Sequence, residues 1–171
     1  MKVVITGPES VGKTTLVKKL ARYYKGHSVL EFAREYIESL SGSYKFSDVE
    51  FIGRRQILED AELADVSEWV FFDTDLIITK VWFSVVYGMV PPWVDSWLAT
   101  HKRFHLLLDT SVAWEPDSVR ENGGEMRAVL FERYRDELEH YGLPYAVVSG
   151  TGDVRTANAI AEIDRYFLTT L

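Results

Sequence analysis

The stretch Gly7-Pro8-Glu9-Ser10-Val11-Gly12-Lys13-Thr14 limits what this chain can fold into more than any other, because it spells G-x-x-x-x-G-K-[ST] directly behind the apolar run Val3-Val4-Ile5. Such a loop works only where a strand ends, the backbone turns sharply, and a helix begins with unpaired N–H groups facing an anion. Gly7 and Gly12 let the chain turn and approach phosphate with no Cβ in the way, so that successive amides form a nest. Gly7, Glu9, Ser10, Val11, Gly12, Lys13, Thr14 and Thr15 are therefore the candidate phosphate-binding residues. Lys13 reaches the β- and γ-phosphates as a point charge, and the Thr14 hydroxyl is the expected ligand to Mg²⁺. The helix that follows is amphipathic. Leu16, Val17, Leu20, Ala21 and Tyr24 share a face, while Lys18, Lys19, Arg22 and Lys25 lie mostly elsewhere, toward the negative end of its dipole.

A chain of 171 residues is long enough for one domain with a substantial core. Its formal net charge of -7 argues against broad attraction to nucleic acid, so any polyanion must be held locally, as a nucleotide in a nest would be. There is no cysteine, which removes disulfides, cysteine-ligated zinc and thiol catalysis. The segment before the loop leaves no room for a secretory apolar core, and the longest uncharged stretch, Val81 to Val94, is too short to cross a bilayer. The expectation is a cytoplasmic protein with neither nucleic-acid nor membrane partners.

Along the chain, apolar runs alternate with helical patterns. Ser28 to Phe32 reads as a second strand and Ala33-Arg34-Glu35-Tyr36 as a charged helix start near the crevice of an open α/β sheet. Ser47-Asp48-Val49-Glu50 has capping-box form for a helix to about Ser67, with Val49, Ile52, Ile57, Ala61 and Ala64 inside. Trp69-Val70-Phe71-Phe72-Asp73-Thr74-Asp75 is a strand covered on both faces that ends in two carboxylates. Asp73 suits a Mg²⁺ shell or a general base, and Asp75 either caps the next helix or faces substrate. The aromatic helix from Leu76 to Tyr87 and the helix opened by Pro91-Pro92 bring Trp82, Tyr87 and Trp93 close in sequence. Such aromatics either fill the core or hold a planar, cationic ligand.

Phe104 to Asp109 reads as a further strand, followed by a polar loop to Gly124 whose length suits a lid at about 110–127. Arg120 and Arg127 flank Gly123-Gly124 and could close onto the transferring phosphate. Glu125 to Tyr141 is a helix with Met126, Val129, Leu130, Tyr134, Leu138 and Tyr141 inward. Tyr145 to Ser149 is the last strand, and Ser149 and Gly150 in the turn after it are candidates for the adenine side. Five strands alternating with helices predict a parallel three-layer α/β sheet.

The ordered set of Gly7 through Thr14, Ala33-Arg34-Glu35-Tyr36, Asp73-Thr74-Asp75, and Trp114 through Asp117 to Arg120 resembles the nicotinamide riboside kinase domain of the bacterial NAD-salvage and regulator proteins, within the P-loop kinase superfamily. The resemblance implies a single kinase domain using ATP and Mg²⁺ to phosphorylate the ribose 5′-hydroxyl of nicotinamide riboside. Lys13, Asp73, Arg120 and Arg127 would then serve catalysis, and Thr14 and Asp73 the metal. Glu35, Tyr36, Asp73, Asp75, Trp82, Tyr87 and Trp93 would lie toward the substrate. The repressor-type and adenylyltransferase regions of the fused members are expected to be absent. Three other readings stay open: another small-molecule or nucleoside kinase of this fold, a nucleotide-hydrolysing switch or ATPase module, and a bare binding protein.

Overall fold

The computed structural model describes residues 1–63, 66–113 and 124–168. Five strands, β1 (Lys2–Thr6), β2 (His27–Val29), β3 (Val70–Asp73), β4 (Phe104–Leu108) and β5 (Tyr145–Val148), form one sheet in the order β2-β3-β1-β4-β5. Every neighbouring pair is parallel. The helices are α1 (Lys13–Tyr23), α2 (Phe32–Ser39), α3 (Phe46–Glu62), α4 (Leu76–Trp82), α5 (Pro92–Thr100), α6 (Glu125–His140) and α7 (Gly152–Leu168), and α4 runs on into a π-helical turn at Phe83–Tyr87. None of the described helices is long and apolar enough to cross a membrane.

The sheet separates two packed layers, as the uninterrupted apolar strands require. Ile5, Phe71, Leu106 and Leu108 pack with Leu16, Val17 and Leu20 of α1 and Ile163 of α7. Leu107, pointing the other way along β4, joins Val49, Leu76, Ile77, Leu98, Leu130 and Leu138 from α3 to α6. Val3, Val4 and Ile5 are at most 1% exposed, and burial of such side chains stabilises the fold by about 1.5–3 kcal/mol each. This fixes the central strand from whose end the phosphate loop springs.

Several local expectations need correction. β2 stops at Val29, and Phe32 already belongs to α2. Helix α3 starts at Phe46, and it is Lys45 N–H that donates to Asp48 Oδ2 (2.7 Å), so the reach-back belongs to Asp48 and the Ser47/Glu50 pair is not the box. Its inner face keeps Val49 and Ile52, while Ala64 lies outside the described residues. In α6 the buried positions are Arg127, Leu130, Tyr134 and Leu138; Met126 and Val129 are exposed. The stretch read as one helix from Leu76 to Tyr87 changes pitch at Phe83, which turns Val85 and Val86 outward.

Candidate functional site

Parallel strands align their carboxyl ends on one rim, and the register of that rim builds the site. Ile5 of β1 pairs with Asp73 of β3, so the acid at the end of β3 falls beside the start of the phosphate loop. Gly7 has φ +144°, and a Cβ there would lie 2.9 Å from the Leu108 carbonyl oxygen. Gly12 caps α1 at φ +83°. Only glycine takes both positions without strain, which is the physical content of their spacing.

Lys13 Nζ folds back onto the loop and donates to the carbonyls of Gly7 (3.0 Å) and Pro8 (2.9 Å). Thr14 Oγ1 donates to Asp73 Oδ2 at 2.5 Å. Asp73 is 3% exposed, and its Oδ1 has no hydrogen-bond partner. Burial pushes this carboxyl above the usual range, with the Thr14 hydrogen bond and Lys13 pulling it back only in part. A buried acid with one spoken-for oxygen and one orphaned oxygen, next to a hydroxyl, is a donor set suited to Mg²⁺, a hard cation that takes oxygen ligands.

Thr74 sits at φ +73°, a rare conformation for a β-branched residue, and its N–H donates to the Ile5 carbonyl (3.0 Å). This kink sends the two acids different ways. Asp75 accepts from Ile77 N–H at 3.0 Å to cap α4, and its other oxygen meets His105 Nε2 at 2.9 Å in the core. Asp75 is thus a structural clamp between α4 and β4, away from the cleft.

A cleft of about 910 Å³ opens in front of the loop. Gly7, Glu9, Ser10, Val11, Gly12, Lys13, Thr14 and Thr15 line one end. The other end is lined by Ile37, Tyr44, Ile78, Val81, Trp82, Val85 and Val86, with Tyr44 and Trp82 edge-to-face at 4.9 Å between ring centroids. Glu31, Arg34 and Glu38, and Leu130 and Tyr134 of α6, line it as well. Glu31 sits at the N-terminal boundary of α2 but does not cap it through its side chain. Burial raises its carboxyl, nearby Lys13 opposes this, and Asp73 adds to it. Burial likewise raises the Tyr134 hydroxyl far above the usual value, with Glu9 and Glu31 contributing.

Trp82 therefore stands in the cleft, whereas other residues singled out from the sequence do not. Glu35 is exposed, and the Tyr36 hydroxyl donates to Asp48 Oδ1 (2.9 Å) of α3. The helical phase brings Arg34, Ile37 and Glu38 to the cleft instead. Tyr87 packs edge-on against Phe46. Trp93 donates to Glu50 Oε1 (3.3 Å), lies under the Arg54 guanidinium at 4.6 Å, and packs over Gly53. Ser149 and Gly150 form the turn before α7, where the Ser149 carbonyl accepts from Asn158 (3.2 Å); they do not line the cleft. Arg127 is buried, donates to the Val112 carbonyl (2.8 Å), and also lies off the cleft wall. Arg120, Trp114 and most of the expected lid at 110–127 fall outside the described residues.

A profile of the family described as "AAA domain" matches residues 2–156. The chain is 31% identical over 144 residues to the trifunctional NAD biosynthesis/regulator protein NadR of Salmonella typhimurium, the match covering 80% of this chain and 35% of that protein. The same figures hold for the NadR protein of Escherichia coli. The chain thus spans about a third of the length of the curated relatives it matches. Among solved structures, the NadR protein in complex with NR superposes with a TM-score of 0.77 at 26% identity, over 96% of this chain and 49% of that one. A complex of the NadR protein with NAD and AMP-PNP gives 0.76 with the same identity and coverage. Deoxyadenosine kinase from M. mycoides, at 15% identity and a TM-score of 0.69 over 96% of this chain and all of that one, shares the fold.

Proposed function

The chain belongs to the AAA domain family, and on that premise we propose that it is an ATP-dependent kinase of nicotinamide riboside, working in the cytoplasm and forming nicotinamide mononucleotide. One observation supports this reading above the rest: a single cleft joins a phosphate nest to an aromatic, carboxylate-bordered end. The nest suits the triphosphate of ATP. A flat, cationic pyridinium suits the faces of Trp82 and Tyr44, because aromatic faces attract positive charge, and the carboxylates of Glu31 and Glu38 line the same cleft. The NadR structures named with NR and with AMP-PNP agree with both halves.

In this reading the ribose 5′-oxygen forms the new bond to the γ-phosphorus, the bond from that phosphorus to the β,γ-bridging oxygen breaks, and ADP leaves. Lys13 swings from the Gly7 and Pro8 carbonyls to the phosphates. Thr14 and Asp73 would hold Mg²⁺, which when bound neutralises charge on the phosphate oxygens. With Asp73 so committed, Glu31, a cleft carboxylate near Lys13 and Asp73, takes the hydroxyl proton. The residue after Asp73 is Thr74, so β3 has no adjacent acid pair to activate water, which favours transfer to an alcohol over hydrolysis.

The test is mass-spectrometric detection of product from nicotinamide riboside, adenosine and deoxynucleosides, each with ATP and Mg²⁺. Nicotinamide mononucleotide should form with the wild type and fall by about 10³-fold or more with Lys13→Ala. Product from another nucleoside but none from nicotinamide riboside would overturn the acceptor. No turnover with any acceptor would overturn the kinase.

A further inference from the structure

Against the phosphate loop, and not among the residues that line the cleft, stands a buried cation that the reaction above does not use. Arg155 projects from the first turns of α7 and is 3% exposed. Its Nη1 donates to the Val11 carbonyl at 2.5 Å, across 144 residues of chain. Its Nη2 donates to Asp109 Oδ1 at 2.6 Å and to the Asp109 carbonyl at 3.3 Å. Asp109 is itself fixed: its N–H donates to the Val148 carbonyl (3.2 Å), and its carboxylate accepts from Ser111 N–H (3.1 Å) and Ser111 Oγ (2.6 Å).

The Val11 carbonyl belongs to the same peptide unit as the Gly12 N–H. In a planar trans peptide these two groups point in opposite directions. Holding the carbonyl on Arg155 therefore turns the Gly12 N–H the other way, toward the cleft that Val11, Gly12 and Lys13 line. The opposite end of the loop is braced as well, since Gly7 packs on Leu108 so closely that a Cβ would strike its backbone oxygen. Both ends of the loop thus rest on residues 108 and 109, one by contact and the other through Arg155.

We propose that Arg155 is a positioning residue of the nucleotide site: it pins the Val11–Gly12 peptide so that the Gly12 N–H is aimed at a bound phosphate before nucleotide arrives. The proposal rests on the nucleotide-binding part of the reading above and is independent of the acceptor.

Titration calorimetry of Arg155→Met and Arg155→Lys with ATP and with AMP tests it, alongside circular dichroism and thermal unfolding. Loss of a preset donor to a charged phosphate should weaken ATP by about tenfold or more in Arg155→Met. AMP, which lacks the outer phosphates, should change by less than about threefold, so that the ATP-to-AMP affinity ratio falls. Arg155→Lys, which keeps the charge and one donor, should recover part of that ratio. A folded Arg155→Met protein with the wild-type ratio would overturn the proposal, even if its melting temperature drops, because a merely structural brace would leave the ratio alone. Should Arg155→Met not fold, a wild-type ratio in Asp109→Ala, which takes away the carboxylate that orients Arg155, would do the same. Failure of the wild type to bind ATP would instead bring down the nucleotide-site reading and this proposal with it.

Discussion

Replacing Asp73 by asparagine should make the protein more stable and less active at once. The carboxylate is 3% exposed, one oxygen accepts from Thr14 and the other has no partner. Burial raises its pKa above the usual value. The fold therefore holds the proton to higher pH than the unfolded chain does, and the contribution of Asp73 to stability is full below the unfolded value and lost as pH rises through the folded one. An asparagine of the same shape keeps an oxygen for Thr14 and suffers no such loss. Removing a buried, under-compensated charge should stabilise the nucleotide-free protein at neutral pH by about 0.5–2 kcal/mol. For a domain of this size that is a rise in Tm of about 1–8 °C. Turnover should fall by about 10²-fold or more, because the charged ligand beside Thr14 is gone. The assay is thermal unfolding of both proteins from acid to neutral pH without nucleotide, with product formation measured in parallel. The gap in Tm should be small in acid and widen in favour of the variant above the ordinary carboxylate range. A variant less stable than wild type at neutral pH, or a gap that ignores pH, would refute the reasoning.

Further predictions concern the same rim. Gly7→Ala meets the Leu108 carbonyl at 2.9 Å with φ +144°, and should cost about 2 kcal/mol or more of stability by chemical denaturation while weakening ATP binding. Because burial raises Glu31, a base at this position is lost as pH falls through a value above the normal glutamate range. The acid limb of kcat/KM should therefore lie above that range, and Glu31→Gln should lower kcat by about 10²–10⁴-fold. Trp82→Ala should raise KM for nicotinamide riboside by about 2- to 30-fold, the equivalent of about 0.5–2 kcal/mol of cation–π attraction, and leave ATP affinity unchanged in calorimetry.

Much of this arrangement could be read from the residues in order, for reasons that differ along the chain. The phosphate loop, its strand and α1 are local: glycine freedom, an apolar run and a helical stripe lie within 24 residues of each other. Asp73 was legible because it ends an apolar strand, but the separation of Asp73 from Asp75 depends on the unusual backbone of Thr74, which no composition signals. On α2 the segment was found and the face was not. Arg34 and Glu38 face the cleft while Glu35 faces solvent and Tyr36 faces α3, a phase set by packing of Phe32 and Tyr36 on Phe51. The place of Glu31 in the cleft does not show in the sequence because β2 ends two residues before it, although an acid just past a strand end is the available clue. For Trp93 the sequence leaves a core role and a ligand role open, and in space it serves a helix contact, here with Gly53. Arg155 left no local trace: its partners are 144 and 46 residues away.

With every strand running the same way, the molecule has a working edge and a quiet one. Gly7 and Asp109 follow strand ends on the first and Asp73 closes its own strand there, while the entries to β2, β4 and β5 at Gly26, Arg103 and Pro144 are short turns on the second. Reporter tags or tethers joined at the exposed Gly142 would thus sit a full sheet height from the chemistry.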